Sequence, residues 1–414
     1  PGEWLLADLA HEDLSDAHTL RLLTRLRRDH SGEQAGAALE LARLRRDAVP
    51  KFGADAARMF FTRDALEQAS DPLIRRWRAG NLTPARKARS PSPFTERGLG
   101  GEVAPGTSHH ILDLCCGIGS DSLNYARTGA NVTGIDLDPV RVEMARLNAA
   151  ALGLDVRFMV GDVREAVPDD SDLIFFDPGR RDDGKRIYDV EKYQPPLSTL
   201  RQWKARYILV KLSPGVQIEQ LTSYSVQYIE FISVEGDLKE ALGYFRTSDY
   251  HDDGEGGGHR RYAVLLKSDG QYHILGHEPT DLPVIAEPRA WLCEPDPAAI
   301  RAGLVQTVAH LCGGSLLDET IAYFTTDAPP DTPWARGWRI EAWMPFNVKR
   351  LREYLRLRGV GRVTVKKRGT AVTPDVLLPQ LKLKGDGERV VVLTRLRGQQ
   401  IALVCDAQRE ARDC

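Results

Sequence analysis

"ILDLCCGIGSDSL", residues 111–123, runs an apolar strand into a turn that holds Gly117 and Gly119 and then into a helix. Glycine between the first strand and first helix of an open sheet lets the backbone approach a ligand at the helix N-terminus. A glycine pair alone is weak evidence, and its place between those two elements gives it weight. Asp136 stands seventeen residues beyond Gly119, at the end of the next strand-like run, "NVTGIDL". A carboxylate there can accept both hydroxyls of a ribose.

Outward from this turn the same grain continues. "HILDL", "NVTGIDL", "DVRFMVGD", "SDLIFFD", "YILVKLS", "VQYIEFISVE" and "RRYAVLLKS" read as strands, and residues 120–128 and 139–152 as helices. Strands alternating with helices imply βαβ units and a mostly parallel sheet covered on both faces, so the fold class is α/β. "HDDGEGGGHR" (251–260) reads as a hairpin loop joining the last two strands. The first 80 residues are rich in helix formers, with apolar residues at helical spacing (Leu20, Leu22, Leu23, Leu26; Ala38, Leu39, Ala42, Leu44). Residues 81–108 concentrate Pro, Gly, Ser and Arg without periodicity, as a linker does.

The division expected is a helical domain over 1–80, a linker over 81–108, a catalytic domain over 109–285, a connecting segment over 286–333 and a compact α+β module over 334–414. The connecting segment contains a helix candidate, "AAIRAGLVQTVAHL", and the last module a hairpin turning at Arg397-Gly398.

Of the 414 residues, 42% are hydrophobic and 28% charged, and no stretch approaches the roughly 20 consecutive apolar residues of a membrane span. No secretory pattern stands at the N-terminus, so a cytoplasmic location is the expectation. The six cysteines are scattered without a C-x-x-C pair or a His cluster, so neither a disulfide framework nor a metal site is expected. The net charge of −2 conceals a segregation: +3 over residues 1–100, −14 over 101–330 and +9 over 331–414. An acidic body with a basic appendage is compatible with catalysis joined to polyanion binding.

The ligand class follows from what the first turn lacks. G-x-G-S-D-S has no third glycine to complete a dinucleotide fingerprint. Asp113, in the first strand, is a poor neighbour for a pyrophosphate but a good one for an ammonium group. Together these favour S-adenosylmethionine over NAD.

"LDLCCGIGSDS", "GIDLDP", "VGDV" and "IFFDPG" follow one another in the order of the class I S-adenosylmethionine-dependent methyltransferase motifs, and the sequence resembles that family. The resemblance implies a Rossmann-like seven-stranded sheet. It sets Asp113 and the backbone at Cys115, Gly117 and Gly119 toward the methionine part of the cofactor, Asp136 toward the ribose and Asp162 toward the adenine amine. "KFGADAARMFFTRDALEQAS" and "DPVRVEMARLNAAALGL" are similar to trimethylguanosine synthase and its bacterial relatives, in which an N-terminal helical segment covers the cofactor site. In that likeness Thr62, of the Phe61-Thr62 pair, lies beside the cofactor. "MPFNVKRLREYLRLRGVGRVTVKKRG" resembles the THUMP-like module attached to bacterial methyltransferases of this kind, which implies RNA as partner.

The chemistry centres on Asp177 and Pro178, at the end of the fourth strand, where open α/β sheets place their reacting groups. Amino-group methyltransferases carry D/N/S-P-P-aromatic there; the side chain accepts hydrogen bonds from the target NH2 and the ring stacks on the base. Here Gly179-Arg180-Arg181 follows instead, so the stacking role does not carry over. Arg180 and Arg181 are candidates for holding RNA, and Tyr188 and Tyr193 for supplying the missing ring. "KLSPG" (211–215) is a candidate pocket wall.

In the C-terminal module nine Lys/Arg and one acidic residue fall between Lys349 and Arg368. Lys349, Arg352 and Arg356 share a helix face at i, i+3, i+7, and Lys366, Lys367 and Arg368 end a strand. The reading is a methyltransferase acting on a base amino group in RNA, with these cations holding the substrate. Two alternatives stay open: methylation of a small molecule or protein, and an RNA-binding protein that holds the cofactor without turnover.

Overall fold

The computed structural model describes residues 2–9, 11–81, 109–165, 167–168, 171–182, 185–205, 207–245, 260–276 and 283–407. The 82–108 part of the expected linker and nearly all of the glycine-rich 251–260 loop lie outside the described residues. The chain forms two compact units, Pro1–Tyr228 with Glu240–His259, and Ile229–Lys239 with Arg260–Cys414.

The first unit opens with helices Gly2–Leu9, Thr19–Leu26, Gly32–Phe52, Arg63–Gln68 and Pro72–Asn81. The longest begins where Ser31 and Gln34 form a reciprocal capping box, which satisfies two N–H groups that a helix start leaves unpaired. It ends at Gly53, in the left-handed region at φ 57°. Its Ala35, Ala38 and Leu39 pack with Leu5, Leu9, Leu22 and Leu26. Leu20, read with that face, is 78% exposed. Leu22 and Leu26, four apart, point to the core, and a residue two positions away projects from nearly the opposite side.

The sheet follows. Its strands are β1 (His110–Leu114), β2 (Asn131–Asp136), β3 (Arg157–Val160), β4 (Leu173–Phe176), a two-residue pair β5 (Arg181–Asp182) and β6 (Lys185–Arg186) off to one side, β7 (Tyr207–Leu212), β8 (Val226–Val234) and β9 (Asp237–Phe245). In the first unit the strand order is β3-β2-β1-β4-β7-β9, followed by the first residues of β8. β1 to β4 and β7 pair in parallel, and β9 is antiparallel to β7. β4 is buried throughout, the continuous apolar pattern expected of a parallel strand covered on both faces. β9 went unread in the sequence, so the loop after it joins β9, and not β8, to the next strand. Helices Ser120–Ala126 and Pro139–Leu152 follow β1 and β2; the second starts on Asp138, whose carboxylate accepts from Val140 N and Arg141 N.

In the second unit β10 (Arg260–Leu266) pairs antiparallel with β11 (Tyr272–Gly276). A separate seven-stranded sheet contains β12 (Trp291–Pro295), β13 (Ser315–Leu316), β14 (Phe324–Thr326), β15 (Ala335–Pro345), β16 (Val360–Lys367), β17 (Gly387–Leu396) and β18 (Gln399–Asp406), in the order β13-β14-β12-β15-β18-β17-β16. Residues 286–333, read as a connector, therefore hold three strands of this sheet, because β12 pairs antiparallel with β15 along its whole length. The single helix expected over 298–311 is two, Pro297–Ala302 and Val305–Leu311, parted where Gly303 turns left-handed at φ 77°. The β17–β18 hairpin turns at Arg397-Gly398, both at positive φ (48° and 79°), the geometry that matches strand twist in a two-residue turn. No helix of the described residues is long and apolar enough to cross a membrane.

Candidate active site

The turn after β1 is strongly curved. Cys115, Gly117 and Gly119 all have positive φ (63°, 56° and 81°), and the backbone N–H groups of Cys115 and Cys116 donate to Ile135 O at 2.8 and 3.1 Å. The two glycines serve differently. A Cβ at Gly119 would come 2.9 Å from the Phe158 ring, whereas one at Gly117 would meet nothing within 4 Å. Gly119 is needed for packing, and Gly117 lies on the open side that a ligand can approach.

Asp113 is buried beneath this turn. Its Oδ2 accepts from Ser122 Oγ at 2.5 Å, while Oδ1 has no hydrogen-bond partner among the described residues. Burial first, and the neighbouring Asp121 next, push its carboxyl up to about 8. An orphaned buried carboxylate oxygen suits a cationic ligand group. Asp136 closes the turn: Oδ2 accepts from Gly117 N at 2.8 Å and Oδ1 from Asp138 N at 2.9 Å. Each oxygen keeps a second lone pair for a hydroxyl donor. Asp162 is clasped by Arg164, which reaches both of its oxygens and holds its carboxyl down to about 2.

Thr62 caps helix Arg63–Gln68, accepting from Ala65 N at 3.1 Å. The segment before it is tied to the glycine turn through Asn148, whose side chain bonds the N and O of Phe60 at 2.7 and 3.2 Å and donates to Ile118 O at 3.1 Å.

At the end of β4 Asp177 is clamped by two cations. Lys211 Nζ, from buried β7, donates to Asp177 Oδ2 at 2.6 Å and to Ser70 Oγ at 2.8 Å. Arg180 lies 3.5 Å from Oδ1 and donates to Leu212 O at 2.8 Å. Burial would raise the carboxyl, but Lys211 and then Arg180 outweigh it and hold it below the usual carboxylate value. Asp177 is therefore a firmly ionised acceptor. Pro178 is buried behind it.

Gly179 explains the departure from the two-proline pattern. Its N–H donates to Gln194 O at 2.8 Å and its carbonyl accepts from Gln194 N at 2.9 Å, so the turn is braced by a bridge that a proline could not form. Arg180 faces inward, whereas Arg181 is exposed on the short β5. The two tyrosines also separate: Tyr193 is buried, with its OH accepting from Ser213 N at 3.2 Å, and Tyr188 is half exposed.

Sequence reasoning placed Lys211 only in a candidate pocket wall, without its ion pair to Asp177, and it missed Ser70 and Arg78. A lysine inside the apolar run "YILVKL" was the signal for the first; Ser70 and Arg78 carry none. Arg78 is fully buried, bonded to Asp121 at 2.5 Å and Glu240 at 2.9 Å, with its guanidinium 4.8 Å from the Phe175 ring centre.

The C-terminal cations are not equivalent. Lys349 and Arg356 are exposed on helix Val348–Leu357, and Arg352 Nε donates to Gln380 O at 2.7 Å. Lys366, Lys367 and Arg368 do not act together. Alternation along the strand sends Lys366 and Arg368 to one side, where both bind Glu294 (2.7 and 3.2 Å), and leaves Lys367 exposed on the other.

Family profiles match the chain over residues 111–177 (methyltransferase domain), 335–407 (THUMP domain-like) and 1–48 (a domain of unknown function). It is 32% identical, over 88% of its length and 94% of the relative's, to an uncharacterized S-adenosylmethionine-dependent methyltransferase of Mycobacterium tuberculosis. A 23S rRNA (uracil(747)-C(5))-methyltransferase of Proteus mirabilis is 29% identical over 30% of this chain and 33% of its own. A candidate methyltransferase of Porphyromonas gingivalis W83, solved by crystallography, shares the fold with TM-score 0.73 at 20% identity, over 95% of this chain and 99% of that one. The sheet order, the turn over Asp113 and the full-length relative agree: this chain belongs to the S-adenosylmethionine-dependent methyltransferases, carries a THUMP-like domain and takes S-adenosylmethionine as its cofactor.

Proposed function

We propose that the enzyme methylates an exocyclic amino nitrogen of a base in RNA. The observation that carries this is Asp177, an ionised acceptor held at the end of β4 by Lys211 and Arg180. An amino group donating to Asp177 has its nitrogen lone pair turned away from the carboxylate, toward a methyl donor. Alignment of that kind can supply roughly 7–11 kcal/mol of a transfer barrier. The proton shed by the methylated nitrogen passes to Asp177 and on to solvent.

Carbon methylation of uracil, named for the rRNA methyltransferase of Proteus mirabilis, first needs a nucleophile to add to the ring. Thiols supply such nucleophiles only as thiolates. Burial raises the pKa of all five cysteines among the described residues, Cys115, Cys116, Cys293, Cys312 and Cys405. That favours nitrogen over carbon.

S-adenosylmethionine brings the methyl group on a sulfonium. In this reading Asp113 takes its ammonium, the backbone at Cys115, Gly117 and Gly119 its carboxylate, Asp136 the ribose and Asp162 the adenine amine. Thr62 stands at the edge of the segment that Asn148 ties to the glycine turn. RNA is held by the exposed cations Lys349, Arg356 and Lys367, with Arg181 a further candidate beside the turn; Arg352, Lys366 and Arg368 also serve packing.

The test is transfer of labelled methyl from S-adenosylmethionine to total RNA of a strain lacking the protein, followed by nucleoside mass spectrometry. An N-methylated base is the expected product; label on carbon, or none in RNA, overturns the proposal.

Asp136→Ala should weaken S-adenosylmethionine binding about 10- to 100-fold, since hydrogen bonds to a charged group are worth roughly 1.5–3 kcal/mol; calorimetry giving an unchanged constant removes the ribose role. Asp113 should couple binding to pH. Its carboxyl sits near 8, so below that pH it is protonated, and an ammonium arriving beside it expels the proton. Affinity should then rise about tenfold per pH unit from acid pH to about 7 and bend over near 8, where the ligand's own ammonium begins to lose its proton. Close to one proton should be released at pH 7, read by calorimetry in buffers of different ionisation heat, and Asp113→Asn should abolish the dependence.

A further inference from the structure

The turn after β4 has no aromatic ring of its own, yet a base presented to Asp177 needs a flat face to lie on. Tyr188 is 51% exposed, a large ring left at the surface close to that turn. One edge of it is seated on Gly215: a Cβ there would come 2.7 Å from Tyr188 Cε1 and 3.0 Å from Cδ1, so a side chain at 215 would unseat the ring. The seat is itself braced, because Gly215 N donates to Ser213 Oγ at 3.3 Å.

Two links run from this ring to the reacting carboxylate. Ile187 N, one residue before Tyr188, donates to Arg180 O at 2.9 Å. The Arg180 side chain in turn spans from Leu212 O, three residues before Gly215, to Asp177. Tyr193 is excluded from the same task by its burial and its bond to Ser213 N. Exposed aromatic rings are what single-stranded bases stack on.

We propose that Tyr188 is the stacking platform for the substrate base, seated by Gly215 and linked by Arg180 to Asp177. It takes the place of the aromatic residue absent after Gly179, and it rests on the amino-group reading above. The hydroxyl has no part in it; the ring face does the work.

Full-length Tyr188→Ala, Tyr188→Leu, Tyr188→Phe and Gly215→Ala are compared with wild type in methyl transfer to the RNA of a deficient strain. Binding of a fluorescent single-stranded oligoribonucleotide is measured alongside. Tyr188→Ala and Tyr188→Leu should lose about 10- to 100-fold in kcat/KM, chiefly through KM, and bind the oligonucleotide more weakly. Tyr188→Phe should stay within about twofold, Gly215→Ala should follow Tyr188→Ala, and cofactor affinity should not move. A Leu variant that transfers and binds like wild type, or a Phe variant as poor as Ala, overturns the platform. Wild type without transfer to RNA sinks the amino-group reading instead, and the oligonucleotide still decides on Tyr188: equal binding by the Ala variant and wild type ends the proposal.

Discussion

Asp177→Ala is expected to lower kcat/KM for methyl transfer about 100- to 1,000-fold, the scale on which enzymes lose rate when one preorganised polar group is removed from a reacting centre. The loss should fall on kcat, because in the proposed function the carboxylate acts on the reacting nitrogen, while the dissociation constant of S-adenosylmethionine stays within about twofold. Asp177→Asn keeps an acceptor oxygen but forfeits the charge that draws Lys211 and Arg180 together, so it should lie between Ala and wild type. The alanine variant also leaves Lys211 buried with Ser70 as its remaining hydrogen-bond partner among the described residues. Asp177→Ala/Lys211→Met removes that strandedness; its stability should recover while its transfer does not. The pH profile follows from the sign of the shift. The carboxyl is held below its ordinary value, so its ionised form persists at all higher pH and is lost only as pH falls through that depressed value. Rates should therefore show no acidic limb from Asp177 above about pH 5. Transfer by Asp177→Ala equal to wild type would dismiss the role.

Arg78→Met should destabilise the first unit by about 3–5 kcal/mol, the usual cost of removing one partner from a buried ion pair. Arg78 joins three elements distant in sequence: helix Pro72–Asn81, Asp121 at the start of helix Ser120–Ala126, and Glu240 on β9. Burial disfavours its charge, but the two carboxylates outweigh that and raise its pKa. Without it Asp121 and Glu240 are stranded as buried anions beside Asp113. Restoring neutrality with Asp121→Asn and Glu240→Gln should recover much of the loss. The urea midpoint of the full-length protein reads the effect, and a midpoint unchanged in Arg78→Met would show that the triad contributes nothing. The same variant should reduce cofactor affinity, since Arg78 is one of the groups that lower the Asp113 carboxyl.

What could be read before folding was what neighbouring residues settle among themselves. The glycine turn, Asp113, Asp136 and the end of β4 stood in the right order, because a parallel strand buried on both faces must be apolar and its turn must be small. The turn at Arg397-Gly398 was legible for the same local reason. β9 was not. "GDLKEALGYF" carries Glu240 in its middle, which argues against a buried strand until Arg78 is seen to neutralise it from 162 residues away. Two of the connector's three strands, β13 and β14, were hidden because they are two and three residues long and are held by pairing rather than by their own pattern.

The residues around Asp177 divide in the same way. Sequence alone determined that a carboxylate stands at the end of the fourth strand of a methyltransferase sheet, and that no second proline or ring follows it. Only the tertiary structure decided the rest: that Lys211 and Arg180 keep Asp177 ionised, that Gly179 replaces proline because its N–H is needed by Gln194, and that Tyr188 and not Tyr193 keeps an open face. The reason is physical. Strand and turn chemistry is written in residues a few positions apart, whereas the charge state of a buried group and the exposure of a ring are set by partners that the chain brings from elsewhere.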